Sequence, residues 1–270
     1  MTQLSVVGNH ACAVDDAGKV TCWGNSLGNF PTMPADLSPM EQVSTSGFHA
    51  CAVDAVGAVT CWGDNFYGQT TVPADLGSVV QVSTGRSHTC ALDTVGTLTC
   101  WGNDSDGQAT VPANLGIVVQ VSAKSSHTCA VNAAGALTCW GDNFYGQTTV
   151  PPNLGTVVQV STGVSNTCVV DSAGAVTCWG SDAPHTTTAV PANLGTVVQV
   201  GVGRLHACAL NAAGKVTCWG YDIDGQSTVP ANLGTVVQLS VGSEVSCVLN
   251  DAGLVTCWGK ASSGVVNVFQ

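Results

Sequence analysis

Cysteine is the residue type with the clearest chemical potential in this chain, because paired thiols form disulfides or bind metal ions. The 270 residues include 14 cysteines, which fall into pairs separated by ten residues. Successive pairs are 39 residues apart five times and 40 residues apart once. A fixed period of this length indicates a repeat architecture with seven units. The pairs are Cys12 with Cys22, Cys51 with Cys61, Cys90 with Cys100, Cys129 with Cys139, Cys168 with Cys178, Cys208 with Cys218, and Cys247 with Cys257.

The turn between paired cysteines predicts that they face each other across a hairpin. In the first repeat, Gly18 suits the left-handed position of a three-residue hairpin loop with a bulge. Asp15 and Lys19 then close the hairpin as a hydrogen-bonded pair, which makes Cys12 and Cys22 a non-hydrogen-bonded pair. Cα atoms approach to about 4.5 Å in such a pair, inside the range of a disulfide. We therefore expect one disulfide within each repeat, in preference to free buried thiols or metal ligation.

Histidine occupies one shared repeat position five times. The residues are His10, His49, His88, His127 and His206, while Asn166 and Val245 occupy the same position in the fifth and seventh repeats. A ring of histidines suggests a metal site, but successive repeats hold equivalent positions too far apart to share one ion. We expect each imidazole to hydrogen-bond backbone near its own loop instead.

Two acidic loops have the residue types of a cation site. Residues 104–107 (DSDG) and 222–225 (DIDG) resemble calcium loops, but calcium needs six to eight oxygen ligands and neither loop is followed by a bidentate glutamate. Asp-Gly is also common in turns. The histidines lack consistent nucleophile and carboxylate partners. We therefore expect no enzymatic activity, no cofactor and no metal.

The elements that position these residues are short strands. In residues 78–116 the apolar segments are a (79–83), b (88–92), c (97–101) and d (108–111), the last ended by Pro112. Four short strands in about 40 residues are typical of one propeller blade. The sequence predicts an all-β, seven-bladed β-propeller with four short antiparallel strands and one hairpin disulfide in each blade. As a single domain, residues 1–270 divide into repeats 1–38, 39–77, 78–116, 117–155, 156–195, 196–234 and 235–270.

One tryptophan ends segment c in every repeat, which predicts packing between neighbouring sheets. These residues are Trp23, Trp62, Trp101, Trp140, Trp179, Trp219 and Trp258. Segment d is polar and bounded by proline, which suits an outer edge, so we place segment a innermost. Blades one and seven are then each continuous, with Val265 to Val268 as the last segment d.

Composition restricts the partner and the compartment. The net charge of −11 argues against nucleic acid and anionic membranes, which need a basic surface. Fourteen evenly paired cysteines indicate an oxidising compartment, so we expect a secreted or cell-surface monomer. Because the chain begins inside the first repeat, we expect either a signal peptide removed from it or a domain of a longer secreted protein.

Residues 82–92 (VSTGRSHTCAL) and 62–69 (WGDNFYGQ) resemble the repeat of the regulator of chromosome condensation family, which folds as a seven-bladed β-propeller. Residues 69–74 (QTTVPA) are similar to a bacterial branch that includes propeller-type β-lactamase inhibitor proteins. In those inhibitors, aromatic residues crowd the a–b loops and grip the enzyme. Here Phe48 is the only aromatic residue directly before the histidine position, which argues against β-lactamase inhibition.

The two faces of the predicted propeller differ in composition. Strand direction alternates, so the a–b and c–d loops emerge on one face, which we call the variable face. The b–c turns and proline-containing connections emerge on the other, the turn face. Aromatic and arginine side chains are common anchors of binding surfaces. The candidate partner-binding residues on the variable face are Phe48, Phe66, Tyr67, Arg86, Lys124, Phe144, Tyr145, Arg204 and Tyr221.

These features predict a secreted protein-binding module that uses its variable face, with an acidic protein as partner. A simpler interpretation pairs the cations locally with Asp104 or Asp222 and makes Tyr67 and Tyr145 structural. One alternative function is carbohydrate binding, supported only by the matched residues 64–67 and 142–145. Another is a structural domain of a larger bacterial surface protein.

Overall fold

The computed structural model describes residues 1–8, 10–24, 32–181 and 187–266. Within these residues, strands β1 to β21 form seven antiparallel sheets, each built from three strands that are consecutive in the chain. A short 3₁₀ helix, Ala261–Ser263, follows the last strand. The all-β, seven-bladed propeller is confirmed.

Each blade contains three strands that follow one another in the chain. Blade one contains β1 (Gln3–Val7), β2 (His10–Val14) and β3 (Val20–Gly24); blade two, β4 (Met40–Thr45), β5 (His49–Asp54) and β6 (Val59–Gly63); blade three, β7 (Val79–Thr84), β8 (His88–Asp93) and β9 (Leu98–Gly102); blade four, β10 (Val118–Lys124), β11 (His127–Asn132) and β12 (Leu137–Gly141); blade five, β13 (Val157–Thr162), β14 (Asn166–Asp171) and β15 (Val176–Gly180); blade six, β16 (Val197–Val202), β17 (His206–Asn211) and β18 (Val216–Gly220); blade seven, β19 (Val236–Val241), β20 (Val245–Asn250) and β21 (Val255–Gly259).

The fourth strand predicted for each blade is not formed in the described residues, and turns take its place. Blade three shows the reason, because several backbone groups of segment d already have other partners. The carbonyl of Gln108 accepts hydrogen bonds from the next blade. The amides of Ala109 and Thr110 donate to the Asp104 carboxylate, and Pro112 has no N–H to donate. These groups are therefore not available for a ladder to segment c.

The hairpin prediction is confirmed in detail. The Asp15 amide donates to the Lys19 carbonyl over 3.1 Å, and Gly18 has a φ of +77°. Cys12 and Cys22 are register partners with a disulfide between them. The local turn geometry therefore places the two thiols opposite each other, as the spacing predicted.

All 14 cysteines form the seven predicted disulfides, and the paired Cα atoms are 4.0 or 4.1 Å apart. The bridges join Cys12 to Cys22, Cys51 to Cys61, Cys90 to Cys100, Cys129 to Cys139, Cys168 to Cys178, Cys208 to Cys218, and Cys247 to Cys257. The first cysteine of each pair, on the middle strand, is fully buried. The second lies on the outer strand and is only half-buried: Cys22, Cys61, Cys100, Cys139, Cys178, Cys218 and Cys257. Because every cysteine is in a disulfide, the alternative of free buried thiols is wrong.

The first strands of the blades line the centre of the ring, as predicted for segment a. A glutamine on each first strand fastens it to the next blade. Gln42 of blade two accepts from the amide of Val82 over 2.8 Å and donates to the carbonyl of the same residue over 3.1 Å. Gln238 of blade seven makes the same two bonds to Leu4 of blade one, which closes the ring.

The hydrophobic core lies at the seams between blades. At the seam of blades three and four, Cys90 and Trp140 belong to one buried cluster. Clusters of the same kind, with a cysteine of one blade and the tryptophan of the next, occur at all seven seams. The tryptophans therefore serve the inter-blade packing that the sequence predicted.

Ring closure brings described residues from both ends of the chain together. In this part of the chain, β1 to β3 form the sheet of blade one and β19 to β21 form the sheet of blade seven, with no strand shared between them. The indole of Trp23 donates to the carbonyl of Val265, and Val265 lies in the closing core cluster. Residues 267 and 268 of the predicted last segment d lie outside the described residues. No helix in the described part of the chain has the length and apolarity to cross a membrane.

Candidate functional site

Hydrogen bonds between loops confirm that the a–b and c–d loops share one face. The first amide after strand c donates to the a–b loop of the same blade: Asp64 to Phe48 over 3.0 Å, and Asn103 to Ser87 over 2.8 Å. On the opposite face the b–c turns bond to the connections, as in the 3.0 Å bond from the Val79 amide to the Gly57 carbonyl. The two faces predicted from strand direction are therefore present.

A cleft on the variable face contains the strongest grouping of predicted site residues. The guanidinium of Arg86 lies over the ring of Phe48, with its carbon 5.5 Å from the ring centroid. Tyr67 and Asn103 line the same cleft, whose volume is about 350 Å³. The Arg86 amide donates to the Ser125 carbonyl of blade four, which fixes this loop across the seam. The cleft thus combines a cation, aromatic surface and polar groups from three blades.

The Arg86 guanidinium forms no salt bridge with any described residue. Across the described ranges, the single salt bridge joins Lys260 to Glu244 over 2.6 Å. Asp64 also lines the cleft, but its two oxygens accept from the Phe66 amide and the Gln69 side chain. The alternative interpretation, in which Arg86 or Arg204 pairs locally with Asp104 or Asp222, is therefore wrong. Both arginines are exposed.

Two aromatic pairs, in blades two and four on either side of blade three, have the same geometry. Phe66 and Tyr67 pack edge to face with centroids 4.9 Å apart, and Phe144 and Tyr145 repeat that distance and the 81° interplanar angle. The loop explains the repetition, since the Gln69 side chain accepts from the Tyr67 amide and donates to Asp64. The tyrosines therefore belong to a structured turn, and the phenylalanines project from it.

The exposed tips of these loops include one residue that sequence inspection missed. Phe66, Phe144 and Ile223 occupy one repeat position and are 82 %, 83 % and 79 % exposed. This shared repeat position is the sequence signal from which Ile223 could have been identified. Tyr221, two residues earlier, is half-buried, and its amide donates to the a–b loop of its own blade.

The two acidic loops use their carboxylates for turn formation. Asp104 accepts from the amides of Ala109 and Thr110 and from the Thr110 hydroxyl. Asp222 accepts from the equivalent groups of Ser227 and Thr228. Partial burial alone would raise the pKa of Asp104, but these bonds together outweigh it, so that the pKa is lowered. The loops therefore match the turn interpretation made from the sequence.

Lys124 lies elsewhere than predicted. Its ammonium reaches into the central channel and donates to the carbonyls of Val202 over 2.9 Å and Val241 over 2.7 Å, in blades six and seven. Burial lowers the pKa of Lys124 to about 8. The sequence placed it on the rim because loop position alone does not show the direction of a side chain.

The histidines bridge neighbouring blades. His49 Nε2 is 2.8 Å from the hydroxyl of Thr89 in the next blade, and Thr89 donates to the carbonyl of Gln69. Since that hydroxyl has one proton, His49 is the donor in the first bond. His88, His127 and His206 pair in the same way with Thr128, Thr167 and Ser246. The sequence predicted that each imidazole hydrogen-bonds backbone of its own loop. For Nε2 of these four histidines the prediction is wrong, because its partner is a hydroxyl of the adjacent sheet.

Burial dominates the protonation of these imidazoles. Desolvation lowers the pKa of His88 to about 4 and that of His49, His127 and His206 to about 3. The protonated form of His88 lowers the pKa of His49 and His127 further, and the Lys124 ammonium lowers that of His127 and His206. The imidazoles are neutral at physiological pH and hold the blades together.

Five segments of the chain match the family described as "Regulator of chromosome condensation (RCC1) repeat". The matched residues are 1–27, 41–69, 79–108, 118–147 and 197–226. Together they cover more than half of the chain and correspond to blades one, two, three, four and six. No curated protein matches the chain.

Solved structures with the same fold come from plants, human and yeast. The ectodomain of the Physcomitrella patens receptor kinase CR4 has a TM-score of 0.76 at 24% identity, over 96% of this chain and 73% of that one. Human WBSCR16 has a TM-score of 0.77 at 21% identity, over 92% and 87%. Prp20p from Saccharomyces cerevisiae has a TM-score of 0.75 at 17% identity, over 96% and 82%. At these identities the likeness concerns the fold.

Proposed function

The chain belongs to the regulator of chromosome condensation (RCC1) repeat family, and from this premise we propose that it is an extracellular module that binds a protein through its variable face. The observation that carries the proposal is the cleft in which Arg86 lies over Phe48 beside Tyr67. Arginine and aromatic side chains in a partly desolvated depression are frequent binding hot spots. Seven disulfides favour an oxidising compartment outside the cytosol.

The similar structures include a protein whose partners are proteins. The yeast Prp20p structure is described with binding properties to Gsp1p and histones. That binding supports a protein partner here without indicating its identity.

The exposed cations of the variable face favour an acidic partner segment. Arg86 and Arg204 are exposed cations without a salt bridge among the described residues, on a chain of net charge −11. The planar guanidinium of Arg86 has donors free to bind a carboxylate in a bidentate manner. Acidic groups of Asp64 and Asp104 are engaged in their own loops and do not compete for it.

The exposed aromatic tips extend the contact beyond the cleft. Phe66 and Phe144 stand on either side of blade three, the blade that contributes Arg86. Large aromatic side chains supply contact area at low conformational cost. We therefore place the centre of the interface on Arg86 and Phe48 and its margins on the two aromatic pairs.

A matched pair of variants tests the assignment of the face. The binding-face variant combines Phe48→Ala, Arg86→Gln, Tyr145→Ala and Arg204→Gln. The control truncates exposed apolar residues of the turn face, Val56→Ala, Val95→Ala and Leu254→Ala. Each protein is immobilised and exposed to secreted proteins of its source environment. A partner retained by the wild type and the control but lost from the binding-face variant supports the proposal; loss from the control alone contradicts it.

Kinetics with the captured partner separate the roles of the two central residues. Arg86→Gln should lower the association rate and flatten its dependence on salt, because an exposed charge steers encounter. Phe48→Ala should mainly raise the dissociation rate, because it removes packed area. Surface plasmon resonance at several salt concentrations measures both. Equal effects of the two variants on association would contradict the charge assignment.

Carbohydrate binding is the second candidate, favoured by the identical geometry of the two aromatic pairs. Aromatic faces repeated on separate blades would suit a repetitive glycan. A glycan array with the wild type and the double variant Phe66→Ala and Phe144→Ala distinguishes the candidates. Glycan binding that depends on both phenylalanines, without a protein partner, would replace the protein-binding proposal.

A further inference from the structure

The central channel holds a cation with no acidic partner. The Lys124 ammonium donates to two carbonyls, those of Val202 and Val241, and forms no salt bridge with a described carboxylate. Burying a charge is costly unless it is paired, and carbonyl dipoles compensate it only in part. The titratable groups that experience this charge are His127 and His206, both neutral. The ammonium therefore lacks a counterion within the described residues.

The placement of Lys124 depends on a backbone feature of blade four. Gly85, Gly163, Gly203 and Gly242 occupy the equivalent position in blades three, five, six and seven. In blade four, β10 continues to Lys124, which pairs with His127, and Ser125 turns the chain with a φ of +50°. That conformation is uncommon for a residue other than glycine. Blade four thus accepts a less favourable turn and presents an ammonium inside the ring.

Serine hydroxyls add further donors to the same channel. The oxygens of Ser5, Ser161 and Ser240 accept from the amides of the next blade, which leaves their protons available. None of these protons has an acceptor among the described residues. The three serines and Lys124 line one cavity of about 170 Å³. At about 30 Å³ per water, this volume accommodates an ion of a few heavy atoms together with some water.

We propose that the central channel is a binding site for a small tetrahedral oxyanion of the sulfate or phosphate class, held by Lys124 and the hydroxyls of Ser5, Ser161 and Ser240. The donors come from blades four, one, five and seven, and so surround the channel axis. This arrangement suits a tetrahedral ion better than a planar carboxylate. An anion supplies the missing counterion and the missing acceptors together. The site is separate from the variable-face cleft and independent of the proposed function.

Calorimetry with sulfate tests the site, because sulfate does not titrate between pH 6 and 10. We expect one sulfate per chain at pH 7. Lys124→Met should weaken binding at least about tenfold, since it removes a charge-assisted hydrogen bond. Lys124→Gly is the second variant, because four blades carry glycine at this position. Lys260→Met is the matched control, as that lysine pairs with Glu244 outside the channel.

The pH dependence gives a readout that a structural role of Lys124 would not produce. With a lysine pKa of about 8, the charged fraction falls about tenfold between pH 7 and pH 9. Sulfate affinity should fall by the same factor in the wild type and stay constant in Lys124→Met. A less stable Lys124→Met variant would not invalidate this comparison, because the sulfate affinity is measured on folded protein at both pH values.

A crystal soaked in selenate locates the ion by anomalous scattering. We expect one peak in the channel within hydrogen-bonding distance of Lys124 Nζ. The proposal is overturned by an empty channel with selenate only on the surface, by sulfate binding that persists in both Lys124 variants, or by acetate binding where sulfate does not bind.

Discussion

Positively charged side chains have three different environments in this molecule. Arg86 is exposed over an aromatic ring, Lys124 is half-buried with its ammonium in the channel, and Lys260 is paired with Glu244. Only the first is available to an incoming protein. The histidines show the same dependence on environment, since His88 occupies a loop-adjacent position yet is fully buried between two sheets. Burial therefore decides whether a polar residue binds a partner or joins blades.

The buried histidines make stability depend on pH. Their folded pKa values, about 3 to 4, lie below the unfolded value of about 6.5. The unfolded chain therefore binds more protons as the pH falls, so the stabilisation is complete above pH 6.5 and is lost progressively toward pH 4 and below. Each histidine contributes a slope of up to about 1.4 kcal/mol per pH unit. Urea denaturation between pH 7 and 5, above most carboxylate titration, should show falling stability.

A single substitution tests this origin. His206→Asn places the residue that blade five carries at this position and removes one titrating group. The slope of the unfolding free energy against pH should decrease by the equivalent of up to one proton taken up on unfolding. Loss of the hydrogen bond to Ser246 lowers the stability itself but does not affect this comparison of slopes. An unchanged slope would show that His206 does not titrate on unfolding as the structure implies.

The b–c hairpin has the same turn conformation in every blade, whereas the a–b loop differs between blades. The b–c turns keep their glycine at a positive φ in every blade, from Gly18 to Gly253. The a–b loops differ in backbone as well as in sequence. Blades one and four have the tighter turn, with Gly8 and Ser125 at φ values of +48° and +50°. Function concentrates in loops of this kind because the rigid sheets tolerate their variation.

Reciprocal substitutions in these two turns measure the cost of the serine. A residue other than glycine in the left-handed region costs about 1–2 kcal/mol, partly offset by the greater flexibility of an unfolded glycine. Gly8→Ser should lower the unfolding free energy by about 1 kcal/mol, since no atom lies within 4 Å of an added Cβ. Ser125→Gly should raise it by up to about 1 kcal/mol. Urea denaturation checks both, and two effects of the same sign would contradict the backbone explanation.

At the scale of the whole molecule, the ring is closed by contacts between distant parts of the chain. The amino terminus donates to the Gly253 carbonyl, and Leu4 bonds to Gln238. On the outside of this seam, the carbonyl of Val265 accepts a hydrogen bond from the indole of Trp23. At other seams the equivalent carbonyl belongs to a glutamine or a threonine, as in the bonds from Trp101 to Gln69 and from Trp219 to Thr187. Among the described residues, the first and last blades share no strand. Closure therefore relies on side-chain packing and a few hydrogen bonds.

Truncation of Val265 should weaken the closing seam. Val265 is 1 % exposed and belongs to the cluster that joins blades one and seven. Val265→Ala removes buried methyl groups and should cost about 2 kcal/mol. Val237→Ala, at a position that is 54 % exposed, is the matched control and should change stability by less than about 0.5 kcal/mol. Thermal and urea unfolding measure both, and equal costs would place Val265 outside the closing core.

The sequence by itself determined the features that depend on local spacing. The ten-residue separation of cysteines defined each hairpin register and therefore each disulfide, and the 39-residue period determined the number of blades. The alternation of strand direction determined which loops share a face. All these features follow from the period of a strand and the geometry of a three-residue turn, so no distant contact is needed to derive them.

Only the tertiary structure decided the features that depend on neighbouring blades. Segment d has a strand-like sequence, but Gln108 gives its carbonyl to the next blade and Asp104 takes the amides that follow. His49 finds its partner in the adjacent sheet, and Lys124 reaches carbonyls 78 and 117 residues away. A hydrogen-bonding group takes the nearest unsatisfied partner in space, and that partner becomes known only when the ring is closed.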